Sequence, residues 1–208
     1  MLLLIIFQYG GNYMNALDFF TKYKNRVNVE TVGMSVYQDN KAFTELINKN
    51  VIPEIIESQC DPKLTAQNEY FRIDTVGWVS RWDDVKVEAK RMGLNPHLWD
   101  LKVAVEHENS SSDWTDEVIK LIHVKCPLKV IIGYNNSDKR VEEELEKLEF
   151  VSKCMNMIEA FKNSKDEEYL IILGNCANSK TKKADYKDFD YKGYLYNWKT
   201  NSFEEIAG

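Results

Sequence analysis

The chain has 208 residues, 44% of them hydrophobic and 29% charged, with a formal net charge of −6. That length suits one domain with a substantial core, and the acidic balance excludes a protein that coats nucleic acid over its whole surface, though not a local basic groove. The four cysteines, Cys60, Cys126, Cys154 and Cys176, form no CxxC pair, which argues against a zinc ribbon or a dense disulfide framework and for free thiols in a reducing cytoplasm.

In chain order, the opening "MLLLIIF" lacks a basic n-region and a clean cleavage site, so it does not read as a signal peptide. It is also far shorter than the ~20 residues that span a bilayer. It reads as a short buried strand, or as residues 1–13 lying upstream of a start at Met14. Leu17, Phe20 and Tyr23 fall at helical spacing behind a possible cap at Asn15. A second helical region starts at Asp39 or Asn40 and runs to about Ser58, with Phe43, Leu46, Ile47, Ile52, Ile55 and Ile56 as its apolar face and Pro53 expected to kink or restart it.

The stretch "NEYFRIDTVGWVS" (68–80) alternates as one strand, with Tyr70, Arg72 and Asp74 on one face and Gly77 as a bend or hairpin point. A helix over Asp83–Met92 stops at Gly93 and Pro96, and "LKVAVEHEN" (101–109) is a strand by alternation and by its valines. Serines 110–112 form a loop, and Asp113 can cap a helix carrying Trp114, Val118, Leu121 and Ile122. "PLKVIIGY" (127–134) is nearly all apolar, as strands buried on both faces are, and "EYLIILGNC" (168–176) is another such strand. Between them lies a long amphipathic helix with Ser137 as its cap. A lysine-bearing polar loop over 177–190 leads to a terminal hairpin at about 185–206, turning near Thr200–Ser202. Strands alternating with helices define an α/β fold: a central mixed sheet flanked by helices, in a single domain over 1–208 with its core at about 40–176.

The candidate chemistry lies in "KVAVEHENSSSDW" (102–114). Residues two apart on a strand share a face, so Glu106 and Glu108 point one way while Val103, Val105 and His107 point the other. Adjacent carboxylates repel unless a cation joins them, and Mg²⁺ is a hard ion that takes one or two carboxylates together with water and phosphate oxygens. Asp74 becomes the third carboxylate if its strand neighbours this one. Each residue also has a plainer reading: acids commonly end solvated strands, His107 suits a packed core histidine, and Lys120 suits a solvated helix surface.

The order of Asp74, "VAVEHEN", "DWTDEVIKL" and "PLKVIIGY" resembles the PD-(D/E)xK nuclease superfamily, the restriction-endonuclease-like fold, over roughly residues 68–175. Two departures stand out. The proline before the aspartate is absent ("RID"), and Glu108 occupies the usual lysine position, giving E-x-E. In a known family variation the lysine moves to the following helix, where this chain has Lys120.

The resemblance implies a metal-dependent phosphodiester hydrolase acting on DNA. Asp74 and Glu106 would ligate Mg²⁺ or Mn²⁺, with the backbone carbonyl of His107 as a further ligand. Glu108, or in second place Lys120, would orient or deprotonate the attacking water. Arg81, Lys86, Lys90 and Arg91 would line the approach for the DNA backbone. Many enzymes of this fold cut both strands as homodimers, although no dimer helix is identifiable here.

Two other functions compete with this one. A non-catalytic binding or regulatory protein could retain the fold, a reading that the missing lysine motivates. A hydrolase with paired carboxylates could act on a sugar, which the abundant Trp and Tyr would suit.

Overall fold

The computed structural model describes residues 13–136, 140–176 and 189–207, and at 136, 140–143 and 176 the backbone alone. The apolar opening run, the expected cap at Ser137 and most of the polar loop over 177–190 lie outside the described residues.

Among the described residues, seven strands form one sheet whose spatial order equals chain order. They are β1 (Thr65–Tyr70), β2 (Ile73–Ser80), β3 (Trp99–His107), β4 (Leu128–Asn136), β5 (Glu168–Cys176), β6 (Lys192–Asn197) and β7 (Ser202–Ile206). β1, β2 and β3 form an antiparallel meander, β3, β4 and β5 run parallel, and β5, β6 and β7 return antiparallel. Parallel neighbours need crossovers. One is α7 (Trp114–Ile122), between β3 and β4. The other is α8 (Arg140–Met157) with α9 (Glu159–Lys162), between β4 and β5. A further helix, α6 (Trp82–Arg91), joins β2 to β3. The sequence thus anticipates an α/β fold with a mixed sheet and flanking helices.

Alternation along the central strands sorts their side chains into two core layers. Val103, Val105, Val130, Ile132, Leu170 and Ile172 face α1 (Ala16–Arg26), α4 (Asn40–Leu46) and α5 (Ile52–Glu57), where Phe19, Phe43 and Ile55 meet them. Ala104, Ile131, Ile171 and Leu173 face the opposite way, against Trp114, Val118 and Leu121 of α7 and Leu148 and Met155 of α8. Short helices α2 (Val29–Val32) and α3 (Met34–Tyr37) complete the first layer.

Several local features depart from the sequence pattern for identifiable reasons. Asn15 caps α1 as expected, by accepting the Asp18 N–H, but Phe19 enters the core while Leu17 stays half exposed. Asp39 caps α4 through the Lys41 and Ala42 N–H groups. The helix then widens into a π-turn at Ile47–Val51 before α5, whose first turn holds Pro53. Proline has no N–H to give the preceding turn and its ring crowds the carbonyl four residues back, which a wider turn relieves.

The expected single strand over 68–80 is a hairpin. Tyr70 pairs with Ile73 around a two-residue turn at Phe71–Arg72, and Gly77 stays inside β2 beside a register shift. The expected long helix is interrupted at Ile158, whose extended backbone lets Phe161 turn inward against Tyr169, Tyr196 and Trp198. Among the described residues no helix is long and apolar enough to cross a membrane.

Candidate active site

β2 and β3 bring the two predicted acids together through their register. Thr75 pairs with Val105, so one step further Asp74 stands opposite Glu106 with its side chain toward the same face. The backbone fixes both carboxylates. The His107 N–H donates to Asp74 Oδ2 at 2.8 Å, and the Asp74 N–H donates to Glu106 Oε2 at 3.4 Å. The Glu106 side chain is 2% exposed.

α7 covers this face closely because Trp114 presses onto Gly133 of β4, where an added Cβ would lie 2.6 Å from the indole Cγ. From α7, Lys120 reaches Glu106 Oε1 at 2.8 Å, pairs with Glu117, and donates to the Arg72 carbonyl at 3.1 Å. The lysine therefore ties helix, sheet and hairpin tip together.

The electrostatics of the cluster are unbalanced. Burial raises the Asp74 pKa above its ordinary range, and the nearby charges of Glu117 and Glu108 add to the rise, against the His107 N–H and Lys120. Burial pushes Glu106 up to about 7, with the Asp74 and Glu117 charges in the same sense and Lys120 opposing. For Lys120, burial alone would lower the pKa, but its bonds to Glu106 and Glu117 raise it, so it stays protonated. Among the described residues no second ammonium or guanidinium pairs with Asp74, Glu106, Glu108 or Glu117.

The remaining predicted residues fall in different places. Glu108 lies just beyond β3, with its N–H still donating to the Ile132 carbonyl of β4 at 2.9 Å. Its carboxylate accepts the Ser110 N–H at 2.7 Å, and its charge acts on Asp74. Lys120, ranked second for the water-orienting position, is the residue in contact with Glu106.

The His107 ring enters the opposite core layer. Its Nε2 lies 2.9 Å from the Tyr134 hydroxyl and its ring packs edge-on to Phe43, with burial lowering its pKa to about 3. A metal role for His107 therefore falls to its backbone carbonyl. Asp113 stands at the N-cap of α7, but its carboxylate accepts the Ser112 hydroxyl and caps no helix N–H. Of the basic residues expected to line the approach, Arg81, Lys86 and Arg91 pair with Asp84, Asp83 and Glu88 around α6. Glu117 was missed by sequence reasoning. The available signal was its three-residue spacing from Lys120, which puts both on one helical face.

Among the described residues, no three His, Cys, Asp or Glu side chains gather as a ready-made metal cage. The donor set here is a carboxylate pair of hard oxygens with excess negative charge, which fits Mg²⁺, an ion that commonly uses one or two carboxylates. Comparison with protein-family models, curated proteins and solved structures finds no match.

Proposed function

We propose that this protein is a Mg²⁺-dependent nuclease that hydrolyses phosphodiester bonds in DNA, working in a reducing cytoplasm. The observation that carries the reading is the juxtaposition of Asp74 and Glu106 on adjacent strands with Lys120 against Glu106. The strand order adds support. An Asp-bearing strand beside the strand that carries Glu106, followed by a helix and a buried strand, is the order that the PD-(D/E)xK resemblance implies. Free thiols at Cys60, Cys126 and Cys154 suit the reducing compartment.

Asp74 and Glu106 would hold Mg²⁺ (Mn²⁺ is the alternative ion), with the His107 carbonyl close by on the same strand. Bound there, the ion supplies Lewis-acid polarisation of a phosphoryl oxygen and acidifies water at the site. Lys120, held protonated, can donate hydrogen bonds but cannot accept a proton. Its role is to orient the attacking water and to offset negative charge that develops on the phosphorus oxygens. Glu117 fixes the ammonium in place, and Glu108 holds the Ser110 loop at the end of β3. The competing reading, a non-catalytic binding protein, draws on Glu108 at the family's lysine position.

Cleavage of supercoiled plasmid and of single-stranded circular DNA, with Mg²⁺ or Mn²⁺, tests the reading. The wild type is expected to cut, and Glu106→Ala to cut at least ~100-fold more slowly, as loss of several kcal/mol of transition-state stabilisation requires. Equal cleavage by both proteins overturns the site. No cleavage with any divalent metal, together with retained DNA binding, overturns the activity in favour of the binding protein.

A further inference from the structure

The hairpin tip beside the acid cluster carries an aromatic side chain with no part in the hydrolytic chemistry. Phe71 is 82% exposed. Its backbone lies at φ 49°, Arg72 follows at φ 65°, and Glu69 precedes at φ 54°. Two-residue hairpin turns of this form favour Asn-Gly because both central residues need positive φ. Phe-Arg is therefore strained there, and the ring is left in water as well. A turn that only reversed the chain would have reason for neither, and strain of this kind collects at ligand contacts.

The ring belongs to a longer strip. Phe71 meets Tyr70 edge-on at 4.7 Å, Tyr70 leans on Trp99 at 5.3 Å, and Trp99 stacks on Trp78 at 4.5 Å with 16° between planes. Tyr70 and Trp78 pack against the core layer that contains α7, so the strip is rooted inside and free only at Phe71. The tip is also tied to the acid cluster. The Arg72 carbonyl accepts from Lys120, whose ammonium is 2.8 Å from Glu106, and Asp74 follows two residues later.

An occupant of this tip must present a flat π face while placing a phosphodiester near Glu106. A nucleotide base joined to its own backbone does both, and all bases stack on aromatic rings. Within a duplex, both faces of a base are already covered by its neighbours. The paired state of Arg81, Lys86 and Arg91 leaves less fixed positive charge for gripping duplex backbone, which increases the share that stacking must supply.

We propose that Phe71 stacks on an unpaired base next to the bond to be cut, so that the site takes single-stranded nucleic acid or the single-stranded tract of a larger one. The location of the scissile bond rests on the nuclease reading; the base contact rests on the ring strip.

The test is fluorescence anisotropy of the full chain with a labelled single-stranded oligonucleotide and with its blunt duplex, in EDTA so that nothing turns over. Wild type, Phe71→Ala and Phe71→Trp are compared. The single strand is expected to bind at least ~10-fold tighter than the duplex, and Phe71→Ala to lose roughly 5- to 100-fold of that affinity, the worth of one base stack. Phe71→Trp retains it, and an unchanged melting temperature for Phe71→Ala shows the fold intact.

Equal affinity for both forms, or an unaffected Phe71→Ala, overturns the proposal. So does a change in self-association on sedimentation without a change in oligonucleotide binding, which would assign the ring to a protein contact. Phe71-dependent binding without cleavage in any metal would sink the nuclease reading and leave this one standing. Glu106-dependent cleavage that ignores Phe71 would do the reverse.

Discussion

Two of the buried charge clusters on this sheet, one at each end of the parallel strands, differ in how many cations each contains. Near the start of β4, fully buried Lys129 pairs with Glu167, which also takes Lys125 at 2.6 Å and the Tyr169 hydroxyl at 3.2 Å. Burial alone would raise the Glu167 pKa, but the two ammonium groups outweigh it and hold the carboxylate below its ordinary range. Near the end of β3 the proportion is inverted: among the described residues Glu106 and Glu117 share Lys120 as their one ion-pair partner, Asp74 feels only its charge, and both strand acids are pushed up. Glu106 and Glu167 are alike in solvent exposure, at 2% and 4% of the side chain, so exposure does not separate the clusters. The cation count does. A site short of positive charge has something to gain from a metal ion, whereas the Glu167 cluster is already satisfied by its own lysines.

The largest expected effect tests the satisfied cluster. Glu167→Gln leaves Lys129 buried without a counter-charge, since Glu167 is the one carboxylate paired with it among the described residues. Breaking a buried pair from one side costs about 3–5 kcal/mol. Urea denaturation should show that loss for Glu167→Gln and no loss for Glu106→Gln at pH 8, where the native Glu106 is charged and poorly compensated. Equal destabilisation by the two substitutions would erase the distinction between the clusters.

pH should separate them by a somewhat smaller amount. The native Glu106 pKa of about 7 lies above the ordinary 4.5, so between those values the folded protein binds more protons than the unfolded chain. The associated stability is fully present below pH 4.5 and is lost as pH rises through 7, on the order of 3 kcal/mol for a shift of this size. Asp74 acts in the same sense. Glu167, with a lowered pKa, works oppositely: its contribution is present above its unfolded value and fades as pH falls through the native one. Stability measured from pH 5 to 8 should therefore decline in the wild type and decline less in Glu106→Gln. Millimolar Mg²⁺ should recover the wild-type loss at pH 8 and leave the Gln variant unmoved. Parallel curves for the two proteins would show that Glu106 is not the strained acid.

These contrasts were only partly legible in the sequence. Val103, Ala104 and Val105 announce a strand, and its period places Glu106 away from His107; β4 and β5 declare themselves by apolar runs alone. Asp74 opposite Glu106 needed only the guess that two strands were neighbours. Other features required tertiary information. Glu108 stands one residue past the end of β3, and its contact with the Ser110 N–H follows from how the serine loop folds back. Lys120 and Glu117 join the site because Trp114 settles on Gly133 and fixes how α7 is turned, a packing decision with no local signature. The turn at Phe71–Arg72 was read as strand because neither residue type favours positive φ.

That turn supplies the smallest expected effect, through comparison with the hairpin at the other edge of the sheet. The β6–β7 turn places Asn201 at φ 55°, a residue that tolerates this region, whereas the β1–β2 turn places Phe71 and Arg72 there. A left-handed backbone costs an ordinary side chain roughly 1–2 kcal/mol, part of which glycine returns as unfolded-state entropy. Replacing Phe71 with Asn and Arg72 with Gly should therefore stabilise the protein by about 1 kcal/mol net, a rise of about 2–4 °C in melting temperature for a chain of this size. Asn201→Gly should change stability by only a few tenths of a kcal/mol, since no strain is relieved. If Phe71 serves single strands as proposed, the Asn-Gly protein will be the more stable one and the poorer binder. A variant that gains stability with binding intact would mean that the strain at this tip is unrelated to ligand.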